Sequence, residues 1–452
     1  MSSKHAPLSL HPANPHYLLF RGNPTVLVST AEHYGALLNG GFDYRKYLRT
    51  LGKHGLNQTR VFSGLYRELP GSFKICGNTL APAAGDLICP WARSRRPGYS
   101  CGGNRFDLTR WDKRYFERLK DLMRVAGRNG VVVEVVLFCR FYNDALWSAS
   151  PLNAANNVNG VGNVARGQVY RMKDRRLQSV MDGMVRKIVC ELNPFDNLYY
   201  EICNEPYITR DTPDRWQRHV AGLVRATERS LPNRHLIARN ACNKGRRLRS
   251  MDRNVDIINF HYSLPDLAVT PNLRLNRPLA DDETGFKGSK GDPYRIEAWR
   301  FLLSGGAIYS NLDYTYTVGH EDGSARNKAP GCSVKSFKAQ LPVLRRFLES
   351  FDFVHMAPDT TFIVGRSSKR AQVHALACPG QEYAVYVAGG PRIGLSVKLP
   401  AGEYRAEWVG TTTGRVFKRQ ALKGGRRAVR LRSPGFRVDI ALAVRRGRMV
   451  DG

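Results

Sequence analysis

The sequence has few acidic residues for its size and no long apolar run. Its 452 residues include 38 Asp and Glu against 70 Lys and Arg, a formal net charge of +32. No run of about 18 apolar residues occurs, which excludes a membrane-spanning helix and a membrane partner. The N-terminal segment also lacks the basic start and apolar centre of a signal peptide. We therefore expect a cytoplasmic location by default, or secretion if the start is incomplete.

Cysteine pairs and metal motifs are also scarce. Nine cysteines is an odd number, and Cys139, Cys190 and Cys203 lie in apolar runs typical of a buried core, so a complete disulfide framework is not expected. Three cysteines in one loop-like stretch leave a local disulfide or metal site open, but their spacing matches no metal motif; these are Cys76, Cys89 and Cys101. We expect neither a metal nor a cofactor.

The basic excess is spread over many loops and is not concentrated in one arm. This spread argues against a dedicated nucleic-acid-binding domain. An acidic polysaccharide would be attracted by such a surface. A general arginine bias on solvated faces is the alternative, and the sequence leaves both interpretations open.

Strands alternate with amphipathic helices over residues 1–355. The pattern predicts eight apolar strands, each followed by a helix or loop; they cover residues 25–30, 58–63, 131–139, 198–204, 235–241, 255–261, 278–283 and 307–312. This order implies a parallel sheet, and eight repeats imply closure into a (β/α)8 TIM barrel, an α/β fold. An open doubly wound sheet is the structural alternative.

Residues 356–452 have a different pattern, with short alternating strands separated by Gly and Pro turns. Strand length and turn spacing predict an all-β sandwich domain. Such a domain either supports the barrel or binds carbohydrate, and we favour support.

Two glutamates terminate predicted barrel strands. Glu205 follows a strand that ends in Asn204, and Glu283 ends a later strand. Parallel barrels carry their chemistry at the carboxyl ends of the strands, and a pair of carboxylates is the minimum equipment for cleaving a glycosidic bond. The sequence therefore predicts a retaining glycoside hydrolase that acts on a carbohydrate.

Residues 198–206, which end in Asn-Glu-Pro, resemble the fourth strand of clan A glycoside hydrolases. Glu283-Thr284-Gly285 is similar to the clan's seventh-strand end, and Arg60 and His261-Tyr262 to its second and sixth. The opening, residues 10–63, resembles cellulase-like hydrolases, and residues 400–414 resemble their companion β domain, of a collagen-binding type. The resemblance covers nearly the whole chain.

The resemblance implies that Glu205 is the general acid/base and Glu283 the nucleophile. Glu205 should then have a raised pKa, while Glu283 stays ionised beside Arg60 with a hydrogen bond from Tyr262. Arg60 alternatively forms a salt bridge with Glu134 or Glu201 of the barrel.

Further residues are candidates for sugar binding. The amide of Asn204 can donate to a sugar hydroxyl. His261 and His33 either bind hydroxyls or are satisfied core histidines. Aromatic rings in the predicted rim loops can stack on sugar faces, and each is alternatively a packing residue; they are Trp91, Trp147, Tyr314, Tyr142, Tyr207 and Tyr316.

Two other functions stay open on the same residues. One is a catalytically inactive carbohydrate-binding protein on a barrel. The other is an inverting hydrolase, whose carboxyls would lie roughly 6.5 to 9.5 Å apart and not roughly 5 to 5.5 Å. A specific nucleic-acid partner is not expected.

Overall fold

Eight parallel strands form the central sheet, as the sequence predicts. The computed structural model describes residues 5–207, 211–326, 331 and 334–447. The chain begins with a short antiparallel sheet of β1 (Ser9–Leu10), β2 (Leu18–Phe20) and β3 (Asn23–Thr25). The next strands are β4 (Leu27–Ala31), β5 (Gln58–Phe62), β6 (Trp91–Pro97), β7 (Asn104–Trp111), β8 (Val132–Cys139), β9 (Leu198–Asn204), β10 (Ile237–Asn243), β11 (Ile257–His261), β12 (Leu279–Glu283) and β13 (Ile308–Leu312).

The barrel has the strand order β4-β13-β12-β11-β10-β9-β8-β5, and β6 and β7 form a separate hairpin inserted after β5. A side chain bridges the gap between β4 and β5, where Asn57 accepts from the amide of Val28 and donates to the carbonyl of Val26. All eight strands match the predicted segments to within two residues at each end. Every residue of these strands is buried except the last two of β10, as expected for strands covered on both faces, and this includes polar residues such as Arg60 and Glu134.

Helices surround the barrel. They are α1 (Tyr44–His54), α2 (Lys113–Arg128), α3 (Asp144–Ser148), α4 (Arg175–Leu192), α5 (Asp214–Glu228), α6 (Pro265–Ala268), α7 (Asp292–Leu302) and α8 (Leu341–Glu349). Asp43, Asp112 and Asp174 accept backbone hydrogen bonds at the N-termini of α1, α2 and α4, as good N-caps do. Before α8 lies a 3₁₀ segment, Lys335–Ala339, and α8 itself carries a proline in its first turn.

The C-terminal region is all-β, as predicted. Its strands are β14 (Ala357–Pro358), β15 (Ile363–Arg366), β16 (Gln372–Cys378), β17 (Glu382–Ala388), β18 (Gly394–Val397), β19 (Gly402–Val409), β20 (Val416–Gly424), β21 (Val429–Arg432) and β22 (Asp439–Arg446). They form an antiparallel six-stranded sheet and a three-stranded sheet that share one apolar core. This arrangement is a β-sandwich. The division of the chain at residue 355 stays a prediction.

The β-sandwich packs against the barrel through α7. Trp299 of α7 stacks on Tyr386 of β17, with 5.4 Å between the ring centroids. Beside this pair, the buried Arg295 of α7 contacts Asp439 of β22, with 3.0 Å between Nη2 and Oδ1. Since α7 follows β12, the sandwich supports the helix next to the strand that ends in Glu283.

No helix in the described ranges is long and apolar enough to cross a membrane. The eight cysteines that the structure describes are all free thiols. Cys139 and Cys203 are buried as expected, but the expectation for Cys190 is wrong, because this residue lies on the exposed face of α4.

Candidate active site

The carboxyl ends of the barrel strands carry unusual backbone geometry. Eleven non-glycine residues have a positive φ in the described part of the chain, and six of them follow barrel strands; these six are Tyr34, Glu205, Tyr207, Lys244, Tyr262 and Phe286. Such conformations are costly for residues with a side chain and cluster at functional sites. Strained backbone conformations are therefore concentrated at the rim of the barrel, where they orient the side chains of the candidate site.

Glu205 lies directly after β9 and is 9% exposed. One carboxyl oxygen accepts a hydrogen bond from Tyr142 at 2.8 Å, and the other lies 3.2 Å from Nδ1 of His261. The neighbouring Asn204 donates to the Tyr142 hydroxyl at 3.0 Å and accepts from Arg60 at 3.0 Å. The amide predicted to donate to a sugar hydroxyl thus already holds Tyr142 against Glu205.

Glu283 ends β12 and accepts a hydrogen bond on each oxygen. Arg60 donates to one oxygen at 3.0 Å, and the hydroxyl of Tyr262 donates to the other at 3.1 Å. Arg60 is fully buried and lies under the ring of Tyr34, with 4.5 Å from the guanidinium carbon to the ring centroid. These contacts fix the orientation of the Glu283 carboxylate toward the cavity.

His261, at the end of β11, lies between the two carboxylates. Its Nδ1 is 3.2 Å from Glu205 and 3.6 Å from Glu283, and its Nε2 is 3.6 Å from Asp282. Burial alone would lower the pKa of His261, but Glu283, Asp282 and Glu205 outweigh it and raise that pKa well above its ordinary value. The three carboxylates therefore favour the protonated, positively charged form of His261.

The expectation of a raised pKa for Glu205 is wrong. Burial does raise the pKa of this carboxyl, but the hydrogen bond and the charge of His261, with hydrogen bonds from Tyr207 and Tyr142, lower it to about 2. The sequence suggested an apolar pocket, whereas the folded chain places a charged imidazole beside the glutamate. One proton of the Glu205–His261 pair thus resides on the histidine.

Below the rim, carboxyls outnumber cations. Arg60 contacts Glu134 and Glu201 as well as Glu283, so both salt bridges that the sequence offered as alternatives form together with the expected one. Burial raises the pKa of Glu134 well above its ordinary range, and the adjacent Asp282 adds to the increase. Burial also raises the pKa of Glu201. Protonation of buried carboxyls is how this surplus of negative charge is accommodated.

A cavity of about 70 Å³ lies above the two glutamates, enough for two or three water molecules. Aromatic rings form much of its wall; they belong to Tyr34, Phe62, Tyr66, Phe73, Tyr142, Tyr262 and Phe286. Phe73 and Phe286 are also about half exposed, which places two apolar faces at the mouth. Stacking on exposed rings of this kind is how proteins bind the apolar faces of sugars.

A third carboxylate lines the same cavity. Glu68 lies 3.2 Å from Nε2 of His33, and the hydroxyl of Tyr66 donates to its other oxygen at 3.2 Å. Burial lowers the pKa of His33, but Glu68, together with Glu283 and Glu32, outweighs burial and raises it. Sequence reasoning missed Glu68, Tyr66 and Phe73, because they lie in a long irregular loop after β5. The only signal was a Tyr-Arg-Glu tripeptide soon after a predicted strand end.

Among the predicted sugar-stacking rings, Tyr142 lines the cavity, whereas Tyr316 is buried against Tyr47, with 4.9 Å between the ring centroids. Three others also lie outside the cavity wall. Trp91 is buried in the β6–β7 hairpin and stacks on Trp111. Trp147 is buried in α3, where its indole donates to the carbonyl of Val164 at 2.9 Å. Tyr314 is buried behind His33, with 6.0 Å between the rings. None of the three lines the cavity, since each is used for packing.

Glu205, His261 and Glu283 also have the donor types of a metal site. One ligand atom from each lies within 4.8 Å of the other two. The carboxylates are however already bound by Arg60, Tyr262 and Tyr142, and a positive charge on His261 opposes a cation. The arrangement fits acid, base and nucleophile chemistry better than metal binding.

Comparison with solved structures concerns the whole chain. A glycoside hydrolase family 5 structure from Bacteroides vulgatus has a TM-score of 0.66 at 12% identity, covering 99% of this chain and 95% of that one. The chain has the fold of a family 5 glycoside hydrolase. A second glycoside hydrolase structure has a TM-score of 0.65 at 13% identity and covers 98% of this chain. The predicted resemblance to clan A glycoside hydrolases is confirmed at the level of the fold.

The glycoside hydrolase fold extends beyond the barrel. An endo-1,4-beta-mannanase from Rhizomucor miehei covers 76% of this chain, with a TM-score of 0.50 and 9% identity. The Bacteroides structure covers the β-sandwich as well, so the pairing of barrel and sandwich is shared. No family model matches the sequence, and no curated protein is similar to it.

Proposed function

We propose that the protein is a retaining glycoside hydrolase that cleaves a β-linked oligosaccharide or polysaccharide. The observation that carries this proposal is the approach of Glu205 and Glu283, one oxygen of each lying within 4.8 Å of the other. Retaining enzymes hold their carboxyls roughly 5 to 5.5 Å apart, whereas inverting enzymes leave room for a water at roughly 6.5 to 9.5 Å. An approach within 4.8 Å supports the retaining arrangement over the inverting one.

Glu283 is the nucleophile in this mechanism. It attacks the anomeric carbon, and the bond to the leaving oxygen breaks as a covalent glycosyl-enzyme forms. Arg60 and Tyr262, which donate to its two oxygens, orient the carboxylate and reduce the entropy lost on reaching the transition state. Water later attacks the same carbon and releases Glu283.

Glu205 is the general acid and then the general base. Since His261 holds the proton of the resting pair and is fully buried, the exposed edge of Glu205 delivers that proton to the leaving oxygen. His261 acts through Glu205 and is a positioning residue. In the second step, Glu205 takes a proton from the attacking water and the pair is restored.

The small cavity and the rings at its mouth favour a substrate that stacks on Phe73 and Phe286 with one sugar unit at the glutamates. We further propose an acidic polysaccharide as the substrate class. The net charge of +32 supports this choice, because a basic surface concentrates anionic polymers near the site.

The test is hydrolysis of neutral and acidic β-linked polysaccharides and aryl glycosides by the wild type, Glu205→Gln and Glu283→Gln. We expect Glu283→Gln to lower kcat about a thousandfold on every active substrate. Glu205→Gln should lower kcat far less on aryl glycosides with acidic leaving groups than on polysaccharides, because such leaving groups need little protonation. Glu407→Gln, which removes a carboxylate from the β-sandwich surface, is the control and should keep full activity.

The first-formed product anomer, followed by NMR, tests retention separately. Full activity of Glu283→Gln would contradict the nucleophile assignment, and an inverted first product would contradict the double displacement. Binding without hydrolysis of any member of the panel would favour the alternative, an inactive carbohydrate-binding barrel.

A further inference from the structure

We propose that the loop at residues 244–253 forms a subsite for an anionic sugar unit beside the catalytic cleft. Five of its ten residues are basic and one is acidic; the basic ones are Lys244, Arg246, Arg247, Arg249 and Arg253. This proposal rests on the glycoside hydrolase function above and locates the part of the basic surface that would bind an acidic substrate.

The loop is joined to the active-site rim. It follows β10, which lies in the barrel between the strand before Glu205 and the strand that ends in His261. The amide of Lys244 donates to the carbonyl of His261 at 2.8 Å. On the other side, the hydroxyl of Tyr207 donates to the side chain of Asn243. A chain that occupies the cleft at Glu205 can therefore extend across Tyr207 to the loop.

The loop backbone has a defined scaffold. The side chain of Asn272, which is fully buried, donates to the carbonyl of Arg246 at 2.8 Å and accepts from the amide of Leu248 at 2.9 Å. Gly245 has a φ of 108° and passes so close to Ala268 that a Cβ at this position would lie 2.5 Å from its amide nitrogen. Only glycine fits this approach, so the backbone that presents Arg246 is held in one conformation.

A cavity of about 340 Å³ lies under this loop, within the size range of small-ligand sites. Arg218, Arg239 and Arg246 contribute guanidinium groups to its wall. Asp214 neutralises part of this charge, since it pairs with Arg239 at 2.6 Å and also with Arg218. Arg246 is exposed, and no carboxylate pairs with it in the described ranges of the chain.

The composition of the wall favours an anionic sugar over nucleic acid. Its nine lining residues, among those described, include no aromatic ring on which a base could stack. The wall does include Asp252 and Ser250, whose oxygens can accept hydrogen bonds from sugar hydroxyls. Arg246 would bind the carboxylate or sulfate of the sugar, because a guanidinium fork matches the geometry of such groups.

Calorimetry with the full chain tests the subsite without depending on turnover. The probes are a β-linked tetraglucuronate for a carboxylate, sulfated cellotetraose for a sulfate, cellotetraose as the neutral sugar and a short oligothymidylate for nucleic acid. The background is Glu283→Gln, and the comparison is between Arg246→Gln and Arg426→Gln. The control removes the same charge from an exposed position of the β-sandwich.

We expect Arg246→Gln to weaken binding of at least one acidic probe about three- to tenfold, Arg426→Gln to leave it unchanged, and cellotetraose to show no difference. With active enzyme, the same variant should raise KM for the acidic substrate and leave kcat unaltered. The acidic probe that responds identifies carboxylate or sulfate as the anion.

Three results would overturn the subsite: no binding of either acidic probe, equal losses in the two arginine variants, or oligothymidylate binding that depends on Arg246 to the same extent. Arg246-dependent binding with no hydrolysis of any substrate would refute the proposed enzyme activity but leave the subsite standing. If an acidic substrate is hydrolysed equally well by the wild type and by Arg246→Gln, the proposed enzyme activity stands and the subsite is refuted.

Discussion

The active-site rim and the contact between barrel and β-sandwich both bury an arginine, but they balance its charge differently. At the rim, Arg60 and His261 are surrounded by five carboxyls, those of Glu134, Glu201, Glu205, Asp282 and Glu283. At the domain contact, Arg295 pairs with the buried Asp439 and, at 2.8 Å, with the partly exposed Asp292. Asp439 also accepts from Tyr386 at 2.9 Å and from Thr411 at 2.7 Å.

This difference in charge balance distinguishes a candidate catalytic site from a contact that only holds two domains together. A buried ion pair whose carboxylate oxygens are all hydrogen-bonded, with a second carboxylate at the surface, orders two elements without leaving the buried arginine unmatched. A surplus of carboxyls costs free energy in a folded protein, and it is retained where a nucleophile and an acid are needed at one place. The two histidines differ in the same way. His261 at the rim is charged, whereas burial and the neighbouring Arg300 lower the pKa of His374 at the domain contact to about 4.

The largest expected difference between the two sites is in the free energy of unfolding. Asp439→Asn should lower the free energy of unfolding by about 3 kcal/mol, because it leaves the Arg295 guanidinium buried with an incomplete set of partners. Glu283→Gln should leave stability unchanged or raise it, because it removes one of the surplus carboxylates. Urea unfolding of both variants measures this, with Glu407→Gln as a surface control whose expected loss is below about 1 kcal/mol. A greater loss in Glu283→Gln than in Asp439→Asn would reverse our interpretation of the two sites.

A second prediction concerns acid stability at the domain contact. The pKa of His374 falls from 6.5 to about 4 on folding, so the unfolded chain binds more protons between these values. The contribution of neutral His374 to the free energy of unfolding is complete above pH 6.5 and is lost as the pH falls toward 4. The loss is about 2 kcal/mol after allowance for the partial exposure of this side chain. The advantage of the wild type over His374→Gln should therefore shrink from pH 7 to pH 4 in thermal unfolding. A constant difference across this range would show that His374 does not titrate as proposed.

The smallest effect concerns the pH profile of activity. The groups that face His261 are Glu205, Glu201, Asp282, Glu283, Asn259 and Cys242. Because the carboxylates raise its pKa, its contribution to stability is present below pH 6.5 and is lost as the pH rises through the folded value. The proton that His261 holds for catalysis is lost over the same pH range.

We therefore expect the basic limb of kcat/KM to lie above pH 6.5 in the wild type and to move about one unit lower in His261→Gln. His219→Gln, which removes a histidine paired with Asp182 on the outer helices, is the control and should not move the limb. If the limb stays in place in His261→Gln, the proton is not held by this histidine.

Sequence by itself determined the architecture and the location of the chemistry. The eight barrel strands are recognisable because their apolar runs and strand-ending residues are local in the chain. Glu205 and Glu283 could be identified because a parallel barrel brings all carboxyl ends to one rim, whatever the loops between them do. The β-sandwich was equally visible, since alternation with a period of two residues needs only neighbouring positions.

Only the tertiary structure decided which groups meet. That His261 lies between the two glutamates and lowers the pKa of Glu205 depends on strands that are far apart in sequence. The same is true of Glu68 and Phe73 in the cavity wall, and of Trp91 and Trp147, whose rings pack inside their own loops. Periodicity assigns a side chain to one face of a strand, whereas a pKa and a binding surface depend on distances between elements that only folding sets.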